Sequence, residues 1–276
     1  MEIRSDSMKL VAIAALLLAA VQDPPKGRRV LSAGHSFHVF MPGILKQLAA
    51  DIPGHAQVDV QSIGGSRVIQ HWELPDEKNK AKAGLRTGKV DVLTLSPIYL
   101  PDEGIARFVE LALEHNPEVR VTVQEFWLPY DVYDPTRKKV EVTDRELSGE
   151  ELRRRHAPYF ESMDEHVREL NKKHGKAAVL VVPVGQAVIA LREKIVAGRA
   201  PGLKTQGELF TDAIGHVRPP VQLLTAYCHY AVIYGRSPVG LPKPAALKDA
   251  PDELPRLLQE LAWEAVVAHP LSGVRR

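Results

Sequence analysis

Short apolar runs alternate with segments of helical periodicity along most of the chain. Five apolar stretches have the length of buried strands, and a segment spaced for a helix follows each of them. The first of these helices shows the pattern, with Ile44, Leu45, Leu48 and Ala49 at helical spacing. The predicted strands lie in RRVLSAG, AQVDVQSIGG, KVDVLTLSP, EVRVTVQEFWLP and KAAVLVVPVG.

This alternation predicts an α/β fold, with a five-stranded parallel sheet covered by helices on both faces. Such a fold is a three-layer α/β/α sandwich, and its crossovers should be right-handed. Ligands of these sheets bind beyond the carboxyl ends of the strands. We therefore expect three turns to meet at that edge, namely those that contain Ser36, Gly64-Gly65 and Ser96-Pro97.

The segment 131–176 differs from the rest because charged residues and prolines interrupt the apolar pattern. One long helix is predicted within it, over 150–173, and Ser148 is in place to cap the start of that helix. We interpret 131–176 as a charged helical insertion or lid within a single domain that spans 29–276.

The N-terminus has the pattern of a secretory signal peptide. Lys9 precedes an apolar run over 10–20 that ends in small residues. The run is about half the roughly 20 residues that a membrane span requires, which favours a signal peptide over a membrane anchor. No cysteine directly follows the run, which excludes a bacterial lipid anchor. We expect a signal peptide over 1–21, a polar linker over 22–28, and a mature bacterial protein that is periplasmic or secreted, without stable membrane association.

Composition and charge narrow the function classes further. The 276 residues are 45% hydrophobic and 25% charged, as in an ordinary globular protein. The net charge is +2 and the two signs are interspersed, so no nucleic-acid-binding surface is predicted. Cys228 is the only cysteine, which rules out an internal disulfide. We expect it to be a small buried hydrophobic residue, and we expect no cofactor.

Candidate chemistry begins with Ser36, in the stretch VLSAGHSFHVF that ends the first strand. A serine hydroxyl is a weak nucleophile until a base, usually a histidine oriented by a carboxylate, removes its proton. The late stretch LFTDAIGHV offers Asp212 and His216 in one loop near the same edge of the sheet. The backbone amides of Ser36 and Gly65 are candidate donors to a developing oxyanion.

These residues, in this order, resemble the SGNH, or GDSL-type, hydrolases: Ser36 in AGHS, Gly65 in IGGS, and Asp212 with His216 in one late loop. The resemblance implies a flavodoxin-like sandwich and an exported esterase or acylhydrolase. Its nearest branch is linked to carbohydrate deacetylation, which implies a small acyl ester, with acetyl on a carbohydrate expected, as the substrate. The implied roles are nucleophile for Ser36, base for His216 and orienting carboxylate for Asp212.

The sequence departs from the pattern of that family at three points. His35 stands where the family usually has aspartate before the serine. The oxyanion asparagine expected after the third strand is missing, and Ser96 stands there instead. Loss of such a side-chain donor costs roughly 3 kcal/mol of transition-state stabilisation when nothing replaces it. Asp212 and His216 are four residues apart rather than three, although Gly215 between them can absorb the additional residue.

Each candidate also has an interpretation without catalysis. Ser36 and Asp212 are suitable turn or capping residues, Gly65 can simply form a tight turn, and His216 can be a surface histidine. The altered motifs therefore leave open a non-catalytic carbohydrate-binding protein with a degenerate active site. A nucleophile-elbow hydrolase is disfavoured because the chain has no Gly-x-Ser-x-Gly.

Three further residues are candidates for contact with the substrate. His38 is expected to line the pocket, Trp127 to stack on a sugar ring, and Arg67 to hold an acidic or hydroxyl-rich group. The alternatives are a core position for Trp127 and a solvated helix start for Arg67. His35 and His38 also suggest a metal site, but no Asp or Cys with suitable spacing accompanies them, and we expect no metal.

Overall fold

The five strands form one parallel sheet in the order β2-β1-β3-β4-β5. This is the flavodoxin-like order, and it confirms the fold class expected from the sequence. The computed structural model describes residues 25–134 and 145–275. The strands are β1 (Arg29–Gly34), β2 (Ala56–Ser62), β3 (Val92–Leu95), β4 (Arg120–Gln124) and β5 (Val179–Val182).

Helices cover both faces of the sheet, and both the central strand β3 and the edge strand β5 are buried at every position. Helices α1, α6, α7 and α8 pack against one another on one side, while α2, α3 and α4 pack together on the other. Their bounds are α1 (Met41–Leu48), α2 (Val68–Trp72), α3 (Lys80–Arg86), α4 (Glu103–His115), α5 (Gly149–His174), α6 (Val184–Val196), α7 (Pro219–Tyr234) and α8 (Glu253–Ala268).

Helix α5 packs on the core along one side, and this corrects our interpretation of that part of 131–176 as a charged insertion or lid. Its N-terminus is capped as expected, because the Ser148 hydroxyl accepts the amide of Glu151. Beneath its charged surface it carries a buried stripe that packs on β5 and α6. Such a stripe is hard to detect among so many charges, because only every third or fourth residue is apolar. The stripe consists of Leu152, Tyr159, Met163, Val167 and Leu170.

Two other expectations concern the N-terminus and the cysteine. The predicted signal peptide, 1–21, lies outside the described residues. No helix within 25–134 or 145–275 is both long enough and apolar enough to cross a membrane. Cys228 is completely buried in α7, as expected.

A buried ionic cluster of Glu125, Asp164 and His269 joins the end of β4 to α5 and to the segment after α8. The His269 Nε2 atom lies 3.3 Å from Glu125 and 3.4 Å from Asp164. Burial alone would lower the pKa of His269, but the two carboxylates raise it to about 9. The Leu271 amide, 3.2 Å from Nδ1, opposes protonation of that atom. We assign the charge to His269 because two carboxyl groups lie against Nε2 and one amide lies against Nδ1.

This cluster should make the stability of the fold depend on pH. The folded pKa of about 9 exceeds the unfolded value of 6.5, so the His269 contribution is complete below 6.5 and is lost as pH rises through 9. We expect His269→Gln to lower the free energy of unfolding by about 3 kcal/mol at neutral pH. We also expect the free energy of unfolding to decline less steeply towards alkaline pH in His269→Gln than in the wild-type protein.

Urea unfolding at a series of pH values measures both effects. His115→Gln is the matched control, because His115 is an exposed histidine at the end of α4. An unchanged slope between neutral and alkaline pH in His269→Gln would contradict the charge assigned to His269.

Candidate active site

Ser36 lies in the turn between the carboxyl end of β1 and the start of α1. The strand ends at Gly34, where a Cβ atom would come within 2.8 Å of the His38 ring. Glycine is therefore required there by close packing. Ser36 itself is partly exposed, between the buried side chains of His35 and Phe37. The sheet thus presents one hydroxyl to solvent beyond the end of β1.

His216 reaches Ser36 from the far end of the chain. Its Nε2 atom lies 2.9 Å from the Ser36 hydroxyl oxygen, although the two residues are 180 positions apart. Its Nδ1 atom lies 2.6 Å from Asp212 Oδ2. With the Nδ1–H donated to the carboxylate, Nε2 is free to accept the serine proton. The three residues have the geometry of a nucleophile, a general base and an orienting acid.

The four-residue spacing of Asp212 and His216 is accommodated within a tight loop. The Asp212 Oδ1 atom accepts the amides of Gly215, at 2.9 Å, and His216, at 3.1 Å. Gly215 has φ +104°, a conformation that residues with a side chain rarely adopt. Asp212 therefore caps the turn and orients the imidazole with the same carboxylate, and the two interpretations of this residue are compatible.

The charge of Asp212 is stabilised by these contacts. Its slight burial would raise the pKa of the carboxyl, but the hydrogen bonds from the His216 ring and from the two amides lower it below its usual value. Asp212 is consequently a carboxylate at neutral pH, as an orienting acid must be.

The candidate oxyanion donors lie at the adjoining ends of β1 and β2. The Ile63 amide donates to the Gly34 carbonyl at 3.2 Å, which joins the two turns. Gly65 is exposed in its turn with φ +60°. Within the described part of the chain, the amides of Ser36 and Gly65 donate to no protein atom. Both are therefore available to a ligand.

Ser96 does not replace the missing asparagine. Its side chain is buried, and its hydroxyl lies 3.1 Å from Nε2 of His35. The Nδ1 atom of His35 accepts the Phe37 amide at 3.2 Å. Both ring nitrogens of His35 are thus occupied by protein partners, which disfavours a metal site on it. The pair braces the turn that carries Ser36 from beneath.

His38 and Trp127 are too deeply buried to touch a substrate, and this corrects our expectation for both. His38 is 1% exposed and lies between Gln124 and Thr94, at 2.8 and 3.0 Å. Burial lowers the pKa of His38 to about 4, so its ring is neutral. Trp127 is fully buried and stacks on Phe37, with 4.8 Å between the ring centroids. Phe37 in turn meets the His216 ring edge-on at 5.4 Å.

Arg67 lies at the start of α2 with its side chain 39% exposed. Its guanidinium donates to the Pro101 carbonyl at 3.1 Å and lies 3.6 Å from Asp102. These contacts hold the side chain against the segment that precedes α4. Its role towards a substrate stays a prediction.

Sequence reasoning missed Arg145, whose side chain contacts the loop of Asp212 and His216. Its Nη2 atom donates to the carbonyl oxygens of Asp212, at 3.2 Å, and Ala213, at 2.5 Å. Arg145 lies in the charged segment 131–176, where nothing in the local pattern distinguishes it from its neighbours.

The described residues contain one cluster with spacing suitable for a metal ion, formed by Glu125, Asp164 and His269. A metal-bound imidazole normally donates its second N–H to an acceptor. Here the second nitrogen of His269 faces the Leu271 amide, which is a donor. That contact does not suit a metal-bound imidazole, and we do not assign the cluster as a metal site.

Comparison with known proteins finds solved structures of similar fold at low sequence identity. No protein-family model and no curated protein matches the sequence. Among solved structures, a DUF4886 family protein from Bacteroides uniformis is 13% identical, with a TM-score of 0.55 over 90% of this chain and 97% of that one. At this identity the likeness shows the fold alone.

Two weaker likenesses have names from the family that the sequence resembles. A putative GDSL-like lipase from Parabacteroides merdae is 14% identical, with a TM-score of 0.45 over 75% of this chain and 95% of that one. Phospholipase A1 from Streptomyces albidoflavus is 13% identical, with a TM-score of 0.42 over 75% and 99%. Scores this low carry no argument about the chemistry of this chain.

Proposed function

We propose that the protein is a serine ester hydrolase that cleaves small acyl esters through Ser36, His216 and Asp212. The observation that carries this proposal is the hydrogen-bonded series of these three side chains, with separations of 2.9 and 2.6 Å. Turn residues without a catalytic role have no need for such a series. The series joins Ser36, which follows β1, to the loop of Asp212 and His216, which comes after β5 in the chain.

In the proposed mechanism, the Ser36 hydroxyl attacks the ester carbonyl and His216 Nε2 takes its proton. The imidazolium is stabilised by Asp212 and then protonates the leaving alcohol. A water molecule, deprotonated by the same imidazole, hydrolyses the acyl-enzyme and regenerates Ser36. The amides of Ser36 and Gly65 bind the oxyanion in both steps. Ser96, which stands in place of the family's asparagine, is buried and paired with His35 and adds no third donor, so we expect a lower turnover than a site with that asparagine would allow.

The substrate class is proposed from the sequence resemblance, which favours acetyl or other small acyl groups on a carbohydrate. Arg67 is the proposed side chain for a hydroxyl or acidic group of that substrate, because its guanidinium is partly exposed beyond the end of β2. The alternative function, carbohydrate binding by a degenerate site, is less consistent with a serine and a histidine at hydrogen-bond distance.

Substitution of the nucleophile and the base tests the function. We expect Ser36→Ala to reduce kcat on p-nitrophenyl acetate by about 10⁴-fold or more. His216→Ala should lose a comparable amount, because the two residues act as one unit and their losses do not add. Initial-rate kinetics on the purified variants measure both effects.

Ser62→Ala is the matched control, because Ser62 is an exposed serine at the end of β2. The control should keep wild-type kcat. Wild-type activity in Ser36→Ala or His216→Ala would defeat the assignment. Binding of an acetylated oligosaccharide without turnover by the wild-type protein would favour the non-catalytic alternative.

We also propose that the protein is exported, with removal of residues 1–21. The motive is the charged start and short apolar run over 9–20. The expected result is a mature protein that begins beyond residue 19 and is found outside the cytoplasm of its bacterial host. Mass spectrometry of the exported form would contradict this if it found an intact Met1 or Met8.

A further inference from the structure

The loop that carries Asp212 and His216 is held through its backbone carbonyls. Four consecutive carbonyl oxygens, of residues 212–215, accept hydrogen bonds from the segment between β4 and α5. Arg145 binds the first two, the Tyr130 amide binds the third at 3.2 Å, and the Trp127 indole binds the fourth at 2.7 Å. Within the same loop, the amides of Gly215 and His216 donate to the Asp212 carboxylate.

Arg145 is the only one of these donors that is a flexible charged side chain, yet several contacts restrain it. Its side chain is 9% exposed, and its guanidinium lies 4.2 Å above the Phe210 ring. Its Nη1 atom lies 3.5 Å from the carboxylate of Asp131. Its own carbonyl accepts Nη2 of Arg192 at 2.8 Å. A solvated surface arginine would show none of this order.

Behind Arg145 lies a buried ion pair of Asp131 and Arg192, each 1% exposed. The two are joined by parallel hydrogen bonds of 2.5 and 3.1 Å, which is the strong, directional form of this interaction. Arg192 also donates to Gln206 at 2.5 Å. The ion pair therefore fixes both the carboxylate that faces Arg145 and the backbone from which Arg145 extends.

We propose that Arg145 is a positioning residue for catalysis, which holds the loop of residues 211–216 so that His216 faces Ser36. This inference rests on the proposed esterase function. The physical reason is the exposure of the site, because the side chains of Asp212 and His216 are 45% and 39% exposed and little packing restrains them. The four-residue spacing gives the loop an additional residue, and Nη2 of Arg145 restrains the loop by donating to the carbonyls of both Asp212 and Ala213.

Steady-state kinetics of Arg145→Ala test the proposal. A displacement of about 1 Å at a reacting group costs up to about 100-fold in rate, so we expect kcat to fall between about 10-fold and 100-fold. The KM should change less than about twofold, because Arg145 faces the loop rather than the substrate. Guanidinium chloride at a non-denaturing concentration should restore part of kcat, whereas the same concentration of sodium chloride should not.

Two further variants separate positioning from a general loss of structure. Arg145→Lys keeps the charge and a nitrogen donor but loses the planar group that stacks on Phe210, and it should have an intermediate kcat. Arg153→Ala removes an exposed arginine of α5 that is paired with Glu193 of α6, and it should behave as wild type. Wild-type kcat in Arg145→Ala would overturn the proposal. A loss of kcat in proportion to the unfolded fraction of the variant, without rescue by guanidinium, would also overturn it.

Hydrogen exchange of the Gly215 and His216 amides gives a readout that does not depend on activity. We expect faster exchange of both amides in Arg145→Ala and no change in Arg153→Ala. An inactive wild-type protein whose amides show this difference would refute the esterase function and leave the loop restraint intact. Unchanged exchange in Arg145→Ala would refute the restraint itself.

Discussion

One carboxylate, that of Asp212, sets the geometry of the candidate site. It accepts two backbone amides through Oδ1 and the imidazole of His216 through Oδ2. Charge-assisted hydrogen bonds of this kind are roughly twice as strong as neutral ones. Because three of them converge on one group, the turn and the orientation of His216 are determined together. The distance from His216 to Ser36 then follows from where the sheet places the two loops.

The site achieves this order at the surface of the protein. Many triads are oriented by burial, but here the acid and the base are both substantially exposed. Exposed charges interact weakly across a high dielectric, so geometry must come from short contacts and from a rigid support. The support is the packed layer of Phe37, Trp127 and Phe126 beneath the turn and the loop.

The sequence predicted the strands of the sheet well because the spacing of apolar residues indicates which positions are buried. Each strand was placed correctly, and the order of strands brought Ser36 and Gly65 to one edge. Helix α5 was misinterpreted because its charges conceal an apolar stripe at every third or fourth position. Local patterns carry the signal for elements that pack on the sheet, and a highly charged helix weakens that signal.

Site residues were predictable where their role depends on chemistry and not where it depends on packing. Ser36, Asp212 and His216 were expected at one site from their order along the chain, and the structure places the His216 ring within hydrogen-bond distance of the other two side chains. His38 and Trp127 were misassigned because an aromatic or imidazole ring near a strand end is equally suited to the core. Arg145 was missed because its partners are backbone carbonyls 67 and 68 positions away, which no side-chain pattern reveals.

The central claim is that Ser36 is a nucleophile activated by His216, and covalent labelling tests it without knowledge of the substrate. A fluorophosphonate probe reacts with a serine whose proton is removed by a neighbouring base. We expect stoichiometric modification of Ser36 in the wild-type protein, located by peptide mass spectrometry, and a large loss of labelling in His216→Ala. An unmodified Ser36 in the folded wild-type protein, or equal labelling of both proteins, would contradict it.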